Sequence, residues 1–145
     1  MIQFLLMVNK QGQTRLAHYT HYMPIKERIT LEGELVRKCL SRNNLQCSFL
    51  DHRQYKIIYR RYASLYFIIG VDVEDDINEL SYLEFIHNLV ETLDKYFENV
   101  CELDIMYNIE KAHFIVEEFI LNGCILDTNK SNVLQIVQVI DKLNS

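Results

Sequence analysis

The apolar positions change period part-way along the chain, and that change predicts the fold class. Residues 1–8, MIQFLLMV, are almost all apolar, the pattern of a central strand buried on both faces. Asn9, Lys10, Gln11 and Gly12 read as a hairpin turn, and Thr14–Tyr19 as a second, more polar strand. Pro24 stands where a helix begins, since its fixed φ and missing N–H cost nothing in the first turn. Ile25, Ile29, Val36 and Leu40, with Leu35 and Cys39 beside them, predict the core-facing stripe of a helix ending near Ser41. Three strands follow, at residues 47–50, 55–60 and 65–73, joined by tight turns.

Beyond residue 79 the period becomes helical. Leu80, Leu83, Ile86, Val90, Leu93 and Phe97 repeat at three and four residues and predict a long amphipathic helix. Tyr82, Phe85, Leu89 and Tyr96 lie off that stripe, so the helix is apolar on two sides, covered either by the chain's own helices or by a partner subunit. Ile105, Ile109, Ala112, Val116 and Phe119 predict another helix, capped by Asn122 and Gly123. Val133, Ile136, Ile140 and Leu143 predict a last one after Asp127 and Thr128. Short hairpin connections require antiparallel pairing, so the class is α+β, a five-stranded antiparallel sheet flanked by α-helices.

Composition narrows the function. The 145 residues carry a formal net charge of −5, whereas displacing counterions from nucleic-acid phosphates needs a basic face. No nucleic acid is expected as a partner. Four glycines and one proline leave no linker or Gly-rich loop, which predicts a single domain over residues 1–145. The amino-terminal residues lack the basic segment and cleavage site of a signal peptide, and their apolar run is too short to span a bilayer. A cytosolic protein is expected, with cysteines 39, 47, 101 and 124 as free thiols, because no CxxC pair occurs.

Chemistry is sparse. The acidic run Asp72, Glu74, Asp75, Asp76 and Glu79 invites a calcium loop, but positions six and twelve counted from Asp72 hold Ile77 and Leu83 instead of glycine and glutamate. A solvated loop with Asp76 or Asn78 near a helix N-cap fits better. Histidines 18, 21, 52, 87 and 113 form no metal-binding spacing, and no GxSxG, P-loop or HExxH occurs. No catalytic residue, metal or cofactor is expected. The stretch KIIYRRYASLYFIIGVD, residues 56–72, remains to be explained, because Arg60 and Arg61 interrupt two apolar runs among Tyr59, Tyr62 and Tyr66.

That stretch carries a family likeness. Ile57-Ile58-Tyr59-Arg60, four residues, then Leu65-Tyr66-Phe67 resembles the signature of the sigma (small) subunits of heterotetrameric adaptor protein complexes. MIQFLLMVNKQGQTRLA, YLEFIHNLVETLDKYFENVCELDIMYNIEKAHFIVEEF and NGCILDTNK match the family pattern in order, over nearly the whole chain. NKQGQTRLA, RNNLQCSF and LNGCILDTNKSNVL are most similar to the complex 4 branch. The resemblance implies a longin-like fold and a non-catalytic subunit packed on one large adaptin, beside a second large chain and a medium (mu) chain. It also implies peripheral attachment to the cytosolic face of trans-Golgi network membranes, coats lacking clathrin, and selection of cargo by its cytosolic tails.

In clathrin-associated relatives the sigma surface holds an acidic dileucine sorting signal. The resemblance places the apolar pocket on Ala63, Leu65, Val90, Val100 and Ile105, with Asn99 at its edge, and makes Arg15 the partner of the signal's acidic residue. Each leucine is worth roughly 1.5–3 kcal/mol if fully buried, and an exposed Arg–carboxylate pair about 0–1 kcal/mol. Ordering a flexible tail offsets much of this, so weak binding is expected. Leu65 and Val90 equally fit the core patterns of a strand and a helix. Arg60 and Arg61 are expected at a strand end and hairpin turn in an interface or structural role, stacking on Tyr59 or Tyr62 or forking to a carboxylate. A sigma subunit of a clathrin-associated complex, a longin-domain trafficking regulator and an enzyme with a dispersed site are the competing readings.

Overall fold

The computed structural model describes residues 2–42, 49–72, 79–98 and 100–121. The expected caps at Asp76, Asn78 and Asn122-Gly123, the acidic residues 74–76, Asn99, and the helix expected around residues 133–143 lie outside them. The chain forms two compact units, Met1–Glu79 and Leu80–Ser145.

The first unit is a sheet with one helix. Its strands are β1 (Ile2–Asn9), β2 (Thr14–Tyr19), β3 (Phe49–His52), β4 (Tyr55–Tyr62) and β5 (Leu65–Asp72), in the order β2-β1-β5-β4-β3. Every neighbouring pair is antiparallel, and helix α1 (Ile25–Ser41) enters between β2 and β3. β1 is buried on both faces, as its uninterrupted apolar run predicts. Phe4, Leu6 and Val8 join Ile57, Tyr59 and Ile68 against Leu31, Leu35 and Cys39 of α1. On the other face Leu5, Met7, Ile58, Phe67 and Ile69 are also buried.

One side chain organises the α1-facing side. Phe4 of β1 leans across β5, where a Cβ on Gly70 would meet its ring atoms at 2.1 to 2.8 Å. Glycine there lets the ring reach Tyr55 of β4 edge-on at 5.2 Å, while Tyr19 of β2 lies 5.9 Å away on the other side. Aromatic pairs of this kind add about 0.5–1.5 kcal/mol beyond their area. Arg28 of α1 covers Tyr19 at 4.5 Å from the ring centroid.

α1 ends at Ser41 as expected, but its phase differs. Leu31, Leu35 and Cys39 face the sheet, whereas Ile25 and Ile29 are 72% and 65% exposed. Leu31, Leu35 and Cys39 take the sheet in place of the stripe through Ile25, while Val36 packs at the edge of that core beside the β1–β2 turn. Gly12 in that turn has φ of 89°, and a Cβ there would approach Val36 Cγ1 to 2.9 Å. A residue with a side chain would be strained and crowded at once.

The second unit is helical: α2 (Glu79–Phe97, beginning at the boundary), α3 (Glu102–Tyr107) and α4 (Ile109–Leu121). α2 buries Ile86, Val90 and Leu93 of the expected stripe, and also Tyr82, Phe85 and Leu89. The chain itself therefore covers both apolar sides here, with Phe85 meeting Phe119 of α4 edge-on at 6.0 Å. Leu80, expected in the core, is exposed. The single helix expected through Ile105 and Phe119 is two. Asn108 breaks it at φ −125° and ψ 43°, its amide reaching back to the Asp104 carbonyl at 3.3 Å.

Replacing Gly70 with Ala forces Phe4 out of its seat and should cost at least about 1–3 kcal/mol. Chemical denaturation checks this. Phe4→Leu in the same chain should recover part of the loss, because the two substitutions share one contact.

Candidate functional site

Three of the sequence-marked residues gather at one end of the sheet. β4 and β5 meet in a two-residue hairpin, with Tyr62 opposite Leu65 and Ala63 at the first loop position with φ of 53°. Positive φ at that position suits the right-handed twist of the strands. Leu65 pairs in turn with Asn9 at the end of β1. Asn9, buried, builds the next turn: its Oδ1 accepts from the backbone N–H groups of Gln11 and Gln13 at 3.0 and 2.8 Å. Gln13 Oε1 then accepts from Asn9 Nδ2 at 2.9 Å and from Arg15 Nη2 at 2.8 Å. Arg15 is thus half-buried and tethered to the turn that places it.

Arg60 and Arg61 lie level with it. Arg61 pairs with Tyr66, which pairs with Val8 and so with Thr14; Arg60 pairs with Phe67, Met7 and so with Leu16. Three strand spacings of about 4.8 Å separate β2 from β4, so the backbones that carry these cations stand roughly 14 Å apart at one end of the sheet. Both arginines are still in β4, not in the turn, and both are exposed. Arg61 sits over Tyr66 at 6.0 Å from the centroid, and its Nε donates to the Ala63 carbonyl at 3.3 Å. The expected stacking partners were Tyr59 and Tyr62; cross-strand pairing puts Tyr66 directly opposite instead.

The remaining apolar residues belong to the helical unit. Val90 lies on α2, Val100 follows it, and Ile105 is on α3. α2 ends at Phe97, and Glu98 just after it, with φ of 54°, turns the chain. Asp94 accepts from the Val100 N–H at 2.9 Å. Cys101 caps α3, its N–H and Sγ donating to Asp104 Oδ2 at 3.0 and 3.3 Å. Val90, Val100 and Ile105 are buried, as is Leu65 of the sheet unit, while Ala63 is exposed. Asn99 is among the residues not described.

Among the described residues no three His, Cys, Asp or Glu side chains are arranged to hold a metal. No helix there is long and apolar enough to cross a membrane. Burial pushes the Cys39 thiol up to about 12, which leaves it an unreactive core group. One polar cluster is assembled by the fold from residues far apart in sequence. His52 ends β3, buried, with Lys38 Nζ 2.8 Å from its Nδ1 and Glu34 Oε2 2.8 Å from its Nε2. Lys38 can only donate, so Nδ1 accepts and the ring hydrogen sits on Nε2, facing the Glu34 carboxylate. Arg53, at φ 55° in the β3–β4 turn, holds the other Glu34 oxygen at 2.8 Å. Only the four-residue step between Glu34 and Lys38 is visible without the fold.

Comparison with known proteins assigns the family. The family model for the clathrin adaptor complex small chain matches residues 1–144. The chain belongs to the adaptor small-chain family. It is 64% identical to the AP-4 complex subunit sigma of Arabidopsis thaliana, over 97% of each chain. It is 51% identical to the human AP-4 complex subunit sigma-1, over 99% of each, and 46% identical to the human AP-1 complex subunit sigma-1A, over 99% of this chain and 89% of that one. A chain of a homology model of the full-length AP-3 complex in a stretched open conformation superimposes with a TM-score of 0.79 at 28% identity, covering 99% of this chain and 95% of that one. The small-chain fold is longin-like, as the resemblance implied, and the likeness is to the complex 4 sigma subunits in particular. Protein transport by vesicle coats is the work of this family.

Burial first, and Lys38 next, lower the His52 pKa from its ordinary 6.5, against the opposing pull of Glu34. The folded chain then binds that proton more weakly than the unfolded chain does. His52 therefore contributes stability above the ordinary imidazole range that is lost as pH falls below it. Thermal midpoints measured from pH 7.5 to 5 should fall more steeply for the natural chain than for His52→Gln.

Proposed function

We propose that this chain is the non-catalytic sigma subunit of a heterotetrameric vesicle-coat adaptor complex, acting at the cytosolic face of the trans-Golgi network in cargo sorting. The observation that carries this is the family match over residues 1–144 together with 64% identity to a complex 4 sigma subunit. In this reading all 145 residues serve as one sigma domain. It packs on one large adaptin, with a second large chain and a medium chain completing the assembly. Affinity purification of the tagged chain should recover two large chains and one medium chain in equal amounts, without clathrin. Clathrin in the same eluate would move the assignment to a clathrin-associated complex.

Ala63, Leu65, Val90, Asn99, Val100 and Ile105, with Arg15, hold an acidic dileucine signal in this reading. What supports it is chemical: branched apolar side chains suit two leucines, and Arg15 is half-buried at the sheet end that carries Ala63 and Leu65. Because Leu65, Val90, Val100 and Ile105 are buried in the chain as folded, signal binding requires these side chains to become accessible. That requirement adds a cost to already weak binding.

Ala63 gives a clean test, because it is exposed and its left-handed backbone accepts Asp. Titrating the assembled complex with a peptide carrying an acidic residue and, some positions later, two leucines should give weak binding. Ala63→Asp should weaken it at least about tenfold, a loss of roughly 1.4 kcal/mol. Arg15→Ser should cost about 0–1 kcal/mol. Unaltered affinity in Ala63→Asp would remove the pocket from the account.

Arg60 and Arg61 act in assembly in this reading, with Arg61 also bracing the hairpin through Tyr66 and Ala63. Replacing both with serine should lower co-purification with the large adaptin; unchanged assembly would leave them a local structural role only.

A further inference from the structure

α1 carries a second apolar stripe that its own fold does not use. Ile25 and Ile29 are mostly exposed one turn apart, and Tyr22 just ahead of the helix is 89% exposed. Gly33, one turn beyond Ile29, continues the same face. A glycine inside a helix lowers its stability and is usually explained by crowding. Here, among the described residues, a Cβ would meet only the flexible end of Arg37, at 3.8 Å, so none of them requires a glycine. Along the outer flank stand Lys26 and Arg37, both exposed. Arg37 donates to its own helix at the Gly33 carbonyl, and neither cation forms an ion pair with a carboxylate among the described residues.

We propose that the Tyr22–Ile25–Ile29–Gly33 face is the seat of a helix from the large adaptor chain, whose apolar ridge is flanked by carboxylates that meet Lys26 and Arg37. This rests on the assembly reading above and deepens it. Stiff β-branched side chains beside a glycine notch allow close helix-on-helix approach, and the two unpaired cations set the charge of the partner. An anionic bilayer is the poorer match. It gains nothing from a notch, and the chain's net charge of −5 opposes it.

The test uses the full tagged chain expressed in cells, with recovered large adaptor chain measured against bait. Ile25→Ser/Ile29→Ser, Lys26→Glu/Arg37→Glu and Gly33→Leu should each lower recovery at least tenfold. Gly33→Leu discriminates most sharply, because it should raise the thermal midpoint of the isolated chain while blocking the partner. A photo-crosslinker at position 29 should join a helical, carboxylate-bearing peptide of the large chain. If the natural chain recovers no large chain, the assembly reading itself fails. If it does, but the three variants match it, only the α1 seat is overturned. Sedimentation of the purified chain with phosphatidylserine–phosphatidylcholine vesicles, abolished by the double serine variant, would overturn it in favour of a membrane face.

Discussion

The sheet unit depends on one aromatic ring crossing a strand that has no side chain to stop it. Phe4 leaves β1, passes over Gly70 of β5, and closes edge-on against Tyr55 of β4, with Tyr19 behind it on β2. Four of the five strands are tied by that row. The seat also fixes register. A one-residue slip of β5 would put Ile69 or Val71 beneath the ring and turn every side chain of that strand to the opposite face. α1 then packs on the side the row defines, through Leu31, Leu35 and Cys39.

Register in turn places the sheet end that carries Arg15, Ala63 and Leu65. Once Phe4 lies opposite Gly70, Asn9 must lie opposite Leu65, and both hairpin turns fall at the same edge. Asn9 is polar yet buried, which would be costly without partners. It uses its amide to assemble the β1–β2 turn and, through Gln13, to hold Arg15. A core constraint is thus converted into the position of a surface cation. Arg60 and Arg61 are drawn into the same row by pairing alone, which is why two arginines can interrupt an apolar segment without entering the core.

The period-two and period-3.6 patterns were enough for the strand count, the β2 boundaries and the end of α1, because those depend on local chemistry. The phase of α1 was not legible. Ile25 and Ile29 compete equally with Leu31 for the core until the sheet exists, and the Gly12 turn beside Val36 is a tertiary contact. The break at Asn108 was hidden for a related reason. Apolar spacing runs straight through it, and only the amide's hydrogen bond to Asp104 declares the end of α3. The pocket residues came from family likeness, since patterning alone cannot distinguish Leu65, Val90 and Ile105 from ordinary core, where the fold has them buried. His52 was invisible because its partners lie on α1, fourteen and eighteen residues away.

What patterning does separate is the two uses of apolar residues on α1. Folding is served by Leu31, Leu35 and Cys39, with Arg28 on Tyr19 and the Glu34–Lys38–His52 cluster anchoring the helix along its flanks. Those contacts hold α1 against the sheet without Ile25 or Ile29. Polar residues at 25 and 29 would serve the isolated fold as well and would expose less apolar surface to water. A glycine at 33 further weakens a helix in which no described residue crowds that position. Each feature works against the lone chain, and the proposed partner helix would account for all of them at once.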